Sequence, residues 1–212
     1  MSEAVNLLIG VAMGLNLLAL GSGRLPSLIR TVSLQGMVLG LIPLLHGRID
    51  AGVVLLALAT MAGKGFVIPG LLRRATRAAN IDREVEPFIG FIPSLLLGAA
   101  GTIAAVALAG ALPLLPEHAG TLLVPGAIAS ALTGFILLIG RAKAISQVCG
   151  YLILENGIYL FGMLLIQSTP MLVESGILLD VTVGVFVIGI IVDRIQRAFD
   201  SLDTRNLTTL RE

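Results

Sequence analysis

Three ionisable side chains, Lys64, Glu155 and Asp180, stand inside long apolar stretches of this chain. A charge at bilayer depth costs a few kcal/mol or more, so such groups face protein or water and often mark an ion path. Low dielectric disfavours a carboxylate and a neighbouring ammonium favours it. A Lys–Glu couple can therefore exchange a proton when its geometry changes. The same residues could instead form a buried ion pair that only sets helix register. Tyr151 and Tyr159 lie one turn before and one turn after Glu155 on its helical face. They could extend a hydrogen-bonded chain or simply pack. Asn6 and Asn16 are expected to contact neighbouring helices, and Cys149 to be a small buried apolar residue.

The elements that must hold these groups are membrane helices. Of the 212 residues, 56% are apolar and 13% charged, with mean hydropathy +0.99. Soluble domains carry roughly 25% charged residues, so a soluble enzyme and a disordered chain are both excluded. A formal net charge of +1 points to no nucleic acid. A single cysteine allows no disulfide within the chain. It also falls short of the roughly four thiolates of an iron–sulfur cluster. His46 and His118 are too scattered for a metal or haem site, so no cofactor is expected.

A spanning helix needs about 20 mostly apolar residues. Seven such stretches are predicted, at 4–21, 27–45, 51–72, 88–115, 121–140, 145–167 and 174–195. The first lacks a basic start and a small-residue cleavage site and reads as a retained helix. The link 73–87 reads as a charged loop. The fourth span is overlong, and Pro93 and Pro113 predict a tilt or kink. Gly65 and Gly184 are positions for a local helix irregularity. Glu155 sits midway between the charges at Arg141 and Lys143 and the polar Gln167-Ser168 pair, near the bilayer centre at about 1.5 Å per residue. Lys64 and Asp180 fall at nearby depths on two other helices.

Seven spans segregate the basic residues. Arg48 falls on one side. Arg24, Arg30, Arg73, Arg74, Arg77, Arg83, Arg141, Lys143, Arg194, Arg197, Arg205 and Arg211 fall on the other, and Lys64 is left inside a span. Basic residues concentrate on the cytoplasmic side, which predicts an outside N-terminus and a cytoplasmic C-terminus. A shift of 120 residues lays one half of the chain over the other without a gap. Gly14, Leu17 and Leu18 fall on Gly134, Leu137 and Leu138, and Phe66-Val67-Ile68 falls on Phe186-Val187-Ile188. Arg74 and Arg77 fall on Arg194 and Arg197. The predicted organisation is a degenerate three-helix repeat at 1–83, a connector helix at 84–120 and a second three-helix repeat at 121–212. Four spans separate equivalent helices, so the repeats share one orientation. At the shifted positions Gln35 replaces Glu155 and Thr60 replaces Asp180. The first copy thus lacks both carboxylates but gains Lys64, one turn from Thr60.

The stretch Gly150-Tyr-Leu-Ile-Leu-Glu155-Asn-Gly157-Ile-Tyr-Leu resembles the second helix of the K-type subunit of bacterial respiratory complex I. Asp180-Val-Thr-Val-Gly184-Val, running on to Asp193-Arg194, resembles that subunit's third helix, where the acid is usually Glu. The C-subunit of multisubunit cation/proton antiporters is similar over the same region, roughly 121–212. Across the whole chain, Gly63-Lys64-Gly-Phe-Val-Ile-Pro69, Leu172-Val-Glu174-Ser-Gly176-Ile177 and Asn206-Leu207-Thr208 resemble component E of hydrogenase-4-type, formate-hydrogenlyase-like membrane complexes. This resemblance implies a non-catalytic, multi-pass subunit of the inner membrane. It would bridge larger antiporter-like subunits, and the polar groups read from the spans, Glu155, Asp180 and Lys64 with Tyr151 and Tyr159, are the expected residues of a proton path between them. A passive scaffold of such a complex, or a subunit of a cation/proton antiporter, stands beside that reading.

Overall fold

The structure, a computed structural model, describes residues 3–45, 51–78, 87–113 and 120–164. In hydrocarbon the backbone must satisfy its own hydrogen bonds, and a chain this apolar does so as helices. These are α1 (Glu3–Gly21), α2 (Leu25–Gly40), α3 (Ile42–Leu45), α4 (Ala51–Ala62), α5 (Ile68–Ala78), α6 (Phe91–Ala111), α7 (Leu123–Gly140) and α8 (Ala144–Met163), with a π-helical turn, Gly63–Val67, joining α4 to α5. The described residues contain no strand.

Among the described residues five stretches are long and apolar enough to cross a membrane: Glu3–Gly21, Leu25–Leu45, Ala51–Arg77, Phe91–Ala111 and Leu123–Gly140. The chain is a membrane protein. The sixth expected span coincides with α8, whose 20 residues include Gln147, Glu155 and Asn156 and make it less apolar. The seventh, with Asp180 and Gly184, lies outside the described residues.

Two boundary expectations are corrected. Pro93 lies in the first turn of α6, where its missing N–H costs nothing, and Pro113 lies past its end. The prolines therefore bound a 21-residue helix and do not kink an overlong one. The stretch 73–78 is helix and not loop. Leu72 and Thr76 are buried while Arg73, Arg74 and Arg77 stay exposed. Arginine and alanine are good helix formers, so α5 continues as an amphipathic helix beyond the apolar run.

Side-chain neighbours fix the helix directions. Asn6 meets Leu122, Ile9 lies against Gly126 and Asn16 meets Ser130, so α1 and α7 run parallel. The lower half of α2 (Leu25, Leu28, Val32) shares a cluster with Ile145, Val148 and Leu152, and Leu39 shares another with Leu160 and Met163. Helices α2 and α8 are therefore parallel too. Antiparallel α7 and α8 make the closest contact. A Cβ at Gly157 would come within 2.7 Å of the Ala131 nitrogen and 2.8 Å of the Ala127 oxygen, so only glycine permits this backbone approach. The halves are not packed alike. Gly134 abuts Leu154, whereas nothing lies within 4 Å of a Cβ at the corresponding Gly14.

The two apolar clusters occupy opposite ends of the bundle. One joins Ala19–Val32, Ile68, Leu72, Leu137 and Ile145–Ile153, and the other joins Val5–Ala12, Leu39, Ile42, Leu123, Ala127 and Leu160–Met163. Along α1, α2, α7 and α8, the polar residues Asn16, Ser33, Gln35, Ser130, Thr133, Glu155 and Asn156 lie between the clusters, all buried. A polar layer is thus sealed between two apolar ones. Arg141, 1% exposed, closes one end. It donates from Nη2 to the Leu20 oxygen at 2.6 Å and from Nη1 to the Ile89 oxygen at 3.1 Å, with Phe91's ring 4.5 Å away. A cation at the last carbonyls of α1 also complements that helix's dipole. Cys149 is fully buried, in line with its reading as packing.

Candidate functional site

The site begins with Pro69. Proline has no N–H to give the carbonyl four residues back, and a mid-helix proline costs about 3 kcal/mol or more. That carbonyl belongs to Gly65, and the Ser33 hydroxyl of α2 donates to it at 2.7 Å. Just before the proline the chain widens into the π turn, where the Ile68 N–H donates to the Gly63 oxygen five residues back. The irregularity expected at Gly65 is present. Such turns recur at functional positions, and this one carries Lys64. Gly36 of α2 makes room for it, since a Cβ there would lie 2.7 Å from Lys64 Cβ.

Lys64 Nζ lies 2.6 Å from Glu155 Oε1 of α8, and the two side chains are 9% and 3% exposed. The ammonium also donates to Asn156 Oδ1 at 3.1 Å and sits 5.8 Å from the centre of the Tyr159 ring, within cation–π range. From Asn156 a row of hydrogen bonds crosses the bundle. Asn156 Nδ2 donates to Gln35 Oε1 at 3.2 Å, Gln35 Nε2 to Asn16 Oδ1 at 2.6 Å, and Asn16 Nδ2 to Ser130 Oγ at 3.0 Å. Four helices, α8, α2, α1 and α7, are tied at one level. A cavity of about 10 Å³, room for roughly one water, opens beside the pair between Val32, Gly36, Lys64, Ile68, Leu152 and Asn156.

The structure therefore brings Lys64, Glu155 and Tyr159 together. Tyr151 is half-buried and packs against the apolar cluster that contains Leu152 and Ile153. Asp180 lies outside the described residues. Asn16 contacts neighbouring helices, as does Asn6, whose Oδ1 accepts from the Leu122 N–H. Sequence reasoning did not join Gln35, Asn16 and Ser130 to the ion pair. The available signal was their polarity at mid-span, but which helices adjoin could not be read from it. Among the described residues no group of three His, Cys, Asp or Glu could hold a metal.

Chemically, a carboxylate and an ammonium at this distance can share or exchange one proton. Desolvation of the two ions opposes the charged pair, and their attraction together with the Asn156 hydrogen bond supports it.

Comparison with known proteins gives two kinds of relative. "Uncharacterized protein Rv0085" of Mycobacterium tuberculosis is 36% identical over 191 residues, covering 89% of this chain and 87% of that protein. "Hydrogenase-4 component E" of Escherichia coli K12 and of Shigella flexneri is 35% identical over 80 residues, covering 38% of this chain and 37% of theirs. No family model and no solved structure matches. The chain thus has a distant, partial relationship to hydrogenase-4 component E. Over nearly its whole length it belongs to the family of the mycobacterial protein Rv0085.

Proposed function

We propose that the chain is a non-catalytic membrane subunit of a multisubunit energy-converting complex of the hydrogenase-4 kind, and that its Lys64–Glu155 pair exchanges a proton on a path between larger antiporter-like subunits. The observation that carries this reading is the 2.6 Å contact of Lys64 with Glu155, buried in a polar layer between two apolar ones. The partial similarity to hydrogenase-4 component E supports the kind of complex. Asp180, Tyr151 and Tyr159 complete the proposed path. Seven spans, an outside N-terminus, a cytoplasmic C-terminus and the inner membrane belong to the same proposal. So do the two repeats, 1–83 and 121–212, joined by 84–120. The parallel runs of α1 with α7 and of α2 with α8 support the repeat.

A passive scaffold is the second reading, and one observation favours it. Asn156, Gln35 and Asn16 are amides, which hold their protons and do not relay them as hydroxyls and waters do. The test is proton translocation by membrane vesicles whose complex carries Glu155→Gln. The variant preserves shape and cannot take up a proton in this range. Normal assembly with strongly reduced translocation is expected. Assembly with translocation equal to the wild type would make Glu155 structural and leave the scaffold.

A further inference from the structure

We infer that Gln35 is a positioning residue that fixes the Asn156 amide so that its carbonyl faces the Lys64 ammonium, and that the whole hydrogen-bonded row runs in the one direction that suits both Lys64 at its end and the Ala12 carbonyl beside Gln35. The reasoning starts from donor chemistry. An ammonium only donates, so the end of Asn156 that faces Lys64 must be the carbonyl oxygen. Its Nδ2 then faces Gln35, which must present Oε1. Gln35 Nε2 is thereby turned to Asn16, which must present Oδ1, and to the Ala12 carbonyl at 3.4 Å, which fixes the same direction, and Asn16 Nδ2 is turned to Ser130. Every amide in the row therefore points its carbonyl toward Lys64 and its N–H away. Aligned in this way in a low-dielectric layer, the dipoles reinforce one another.

The two ends of the row differ. Lys64 is restricted to donating, whereas the Ser130 hydroxyl can donate or accept. Among the described residues Gln35 is the link that joins Asn156 on α8 to Asn16 on α1. Without an acceptor at position 35, Asn156 gains by turning its amide away from Lys64. The ammonium would then keep Glu155 and lose Asn156.

The inference deepens the proton-exchange reading, and its test does not depend on that reading, because it reports Lys64 whether or not any complex moves protons. The chain has two lysines, Lys64 and Lys143, so Lys143→Arg assigns the Nζ signals in solid-state NMR of the full-length, 13C,15N-labelled protein in lipid bilayers. The wild type should show an ammonium shift for Lys64, with through-space correlations to the Glu155 carboxyl carbon and the Asn156 amide carbon. Gln35→Met, close in shape and unable to accept, should lose the Asn156 correlation and shift the Lys64 signal. Gln35→Glu, which accepts from Asn156 in either protonation state, should keep both correlations. An unchanged Lys64 spectrum in Gln35→Met would reduce Gln35 to packing. Should that variant not fold, loss of the Asn156 correlation in Gln35→Glu overturns the inference alone.

Discussion

The Ser33 hydroxyl donates to the Gly65 carbonyl at 2.7 Å, across the contact between α2 and the π turn that carries Lys64. It replaces the donor that Pro69 removed. Local sequence chemistry and a tertiary hydrogen bond therefore settle one backbone irregularity together.

Ser33→Ala should destabilise the protein by about 1–3 kcal/mol, because it leaves a buried acceptor without its donor. Pro69→Ala restores a backbone N–H at the position the proline blocks. The double variant should recover much of the loss, giving a non-additive cycle. Denaturant unfolding in micelles measures this, and strict additivity would show that Ser33 does not serve Gly65.

Lys64→Met should cost about 3–5 kcal/mol, since it strands a carboxylate in an apolar layer. Adding Glu155→Leu to that variant should recover most of the cost, because a buried ion pair replaced on both sides by apolar groups is often neutral. The same unfolding assay reads both variants. If Lys64→Met were as stable as the wild type, Glu155 would be neutralised without Lys64, by a proton or by another cation, and the pair would not be what stabilises it.

Gly157→Ala should separate α7 from α8 and cost about 1–3 kcal/mol, because its Cβ would press on the Ala131 nitrogen and Ala127 oxygen, which are backbone and cannot rotate away. Gly14→Ala should be neutral or stabilising by up to about 1 kcal/mol, since nothing lies within 4 Å of the added carbon and alanine is the better helix former. Equal effects of the two would contradict the closeness of the α7–α8 contact.

Cysteines placed at Arg48 and at Arg77 should react with a membrane-impermeant thiol reagent from opposite faces of the membrane. Cys149 is buried and is not expected to report. Labelling of both from one side would overturn the seven-span topology.

Membrane character was legible in the sequence because it depends on composition along one strand of chain: some twenty consecutive apolar residues suffice, whatever their neighbours. The prominence of Lys64 and Glu155 was legible for the same reason, since a charge in such a run is costly wherever the helix packs. Proline was legible only in part. Its missing donor is a local fact, yet Pro69 sits beside a π turn while Pro93 starts a helix, and position within the folded helix makes the difference. The pairing of Lys64 with Glu155, and the row through Asn156, Gln35 and Asn16 to Ser130, was decided by tertiary structure alone. Apart from Asn16 and Gln35, which lie on consecutive helices, the partners along that row are 92 to 121 residues apart in sequence, and their contact depends on which helix faces the close approaches allowed at Gly36 and Gly157. The sequence by itself states which polar groups need partners in the membrane. Only packing states which partner each receives, because hydrogen bonds have fixed reach and direction while apolar periodicity leaves helix neighbours open.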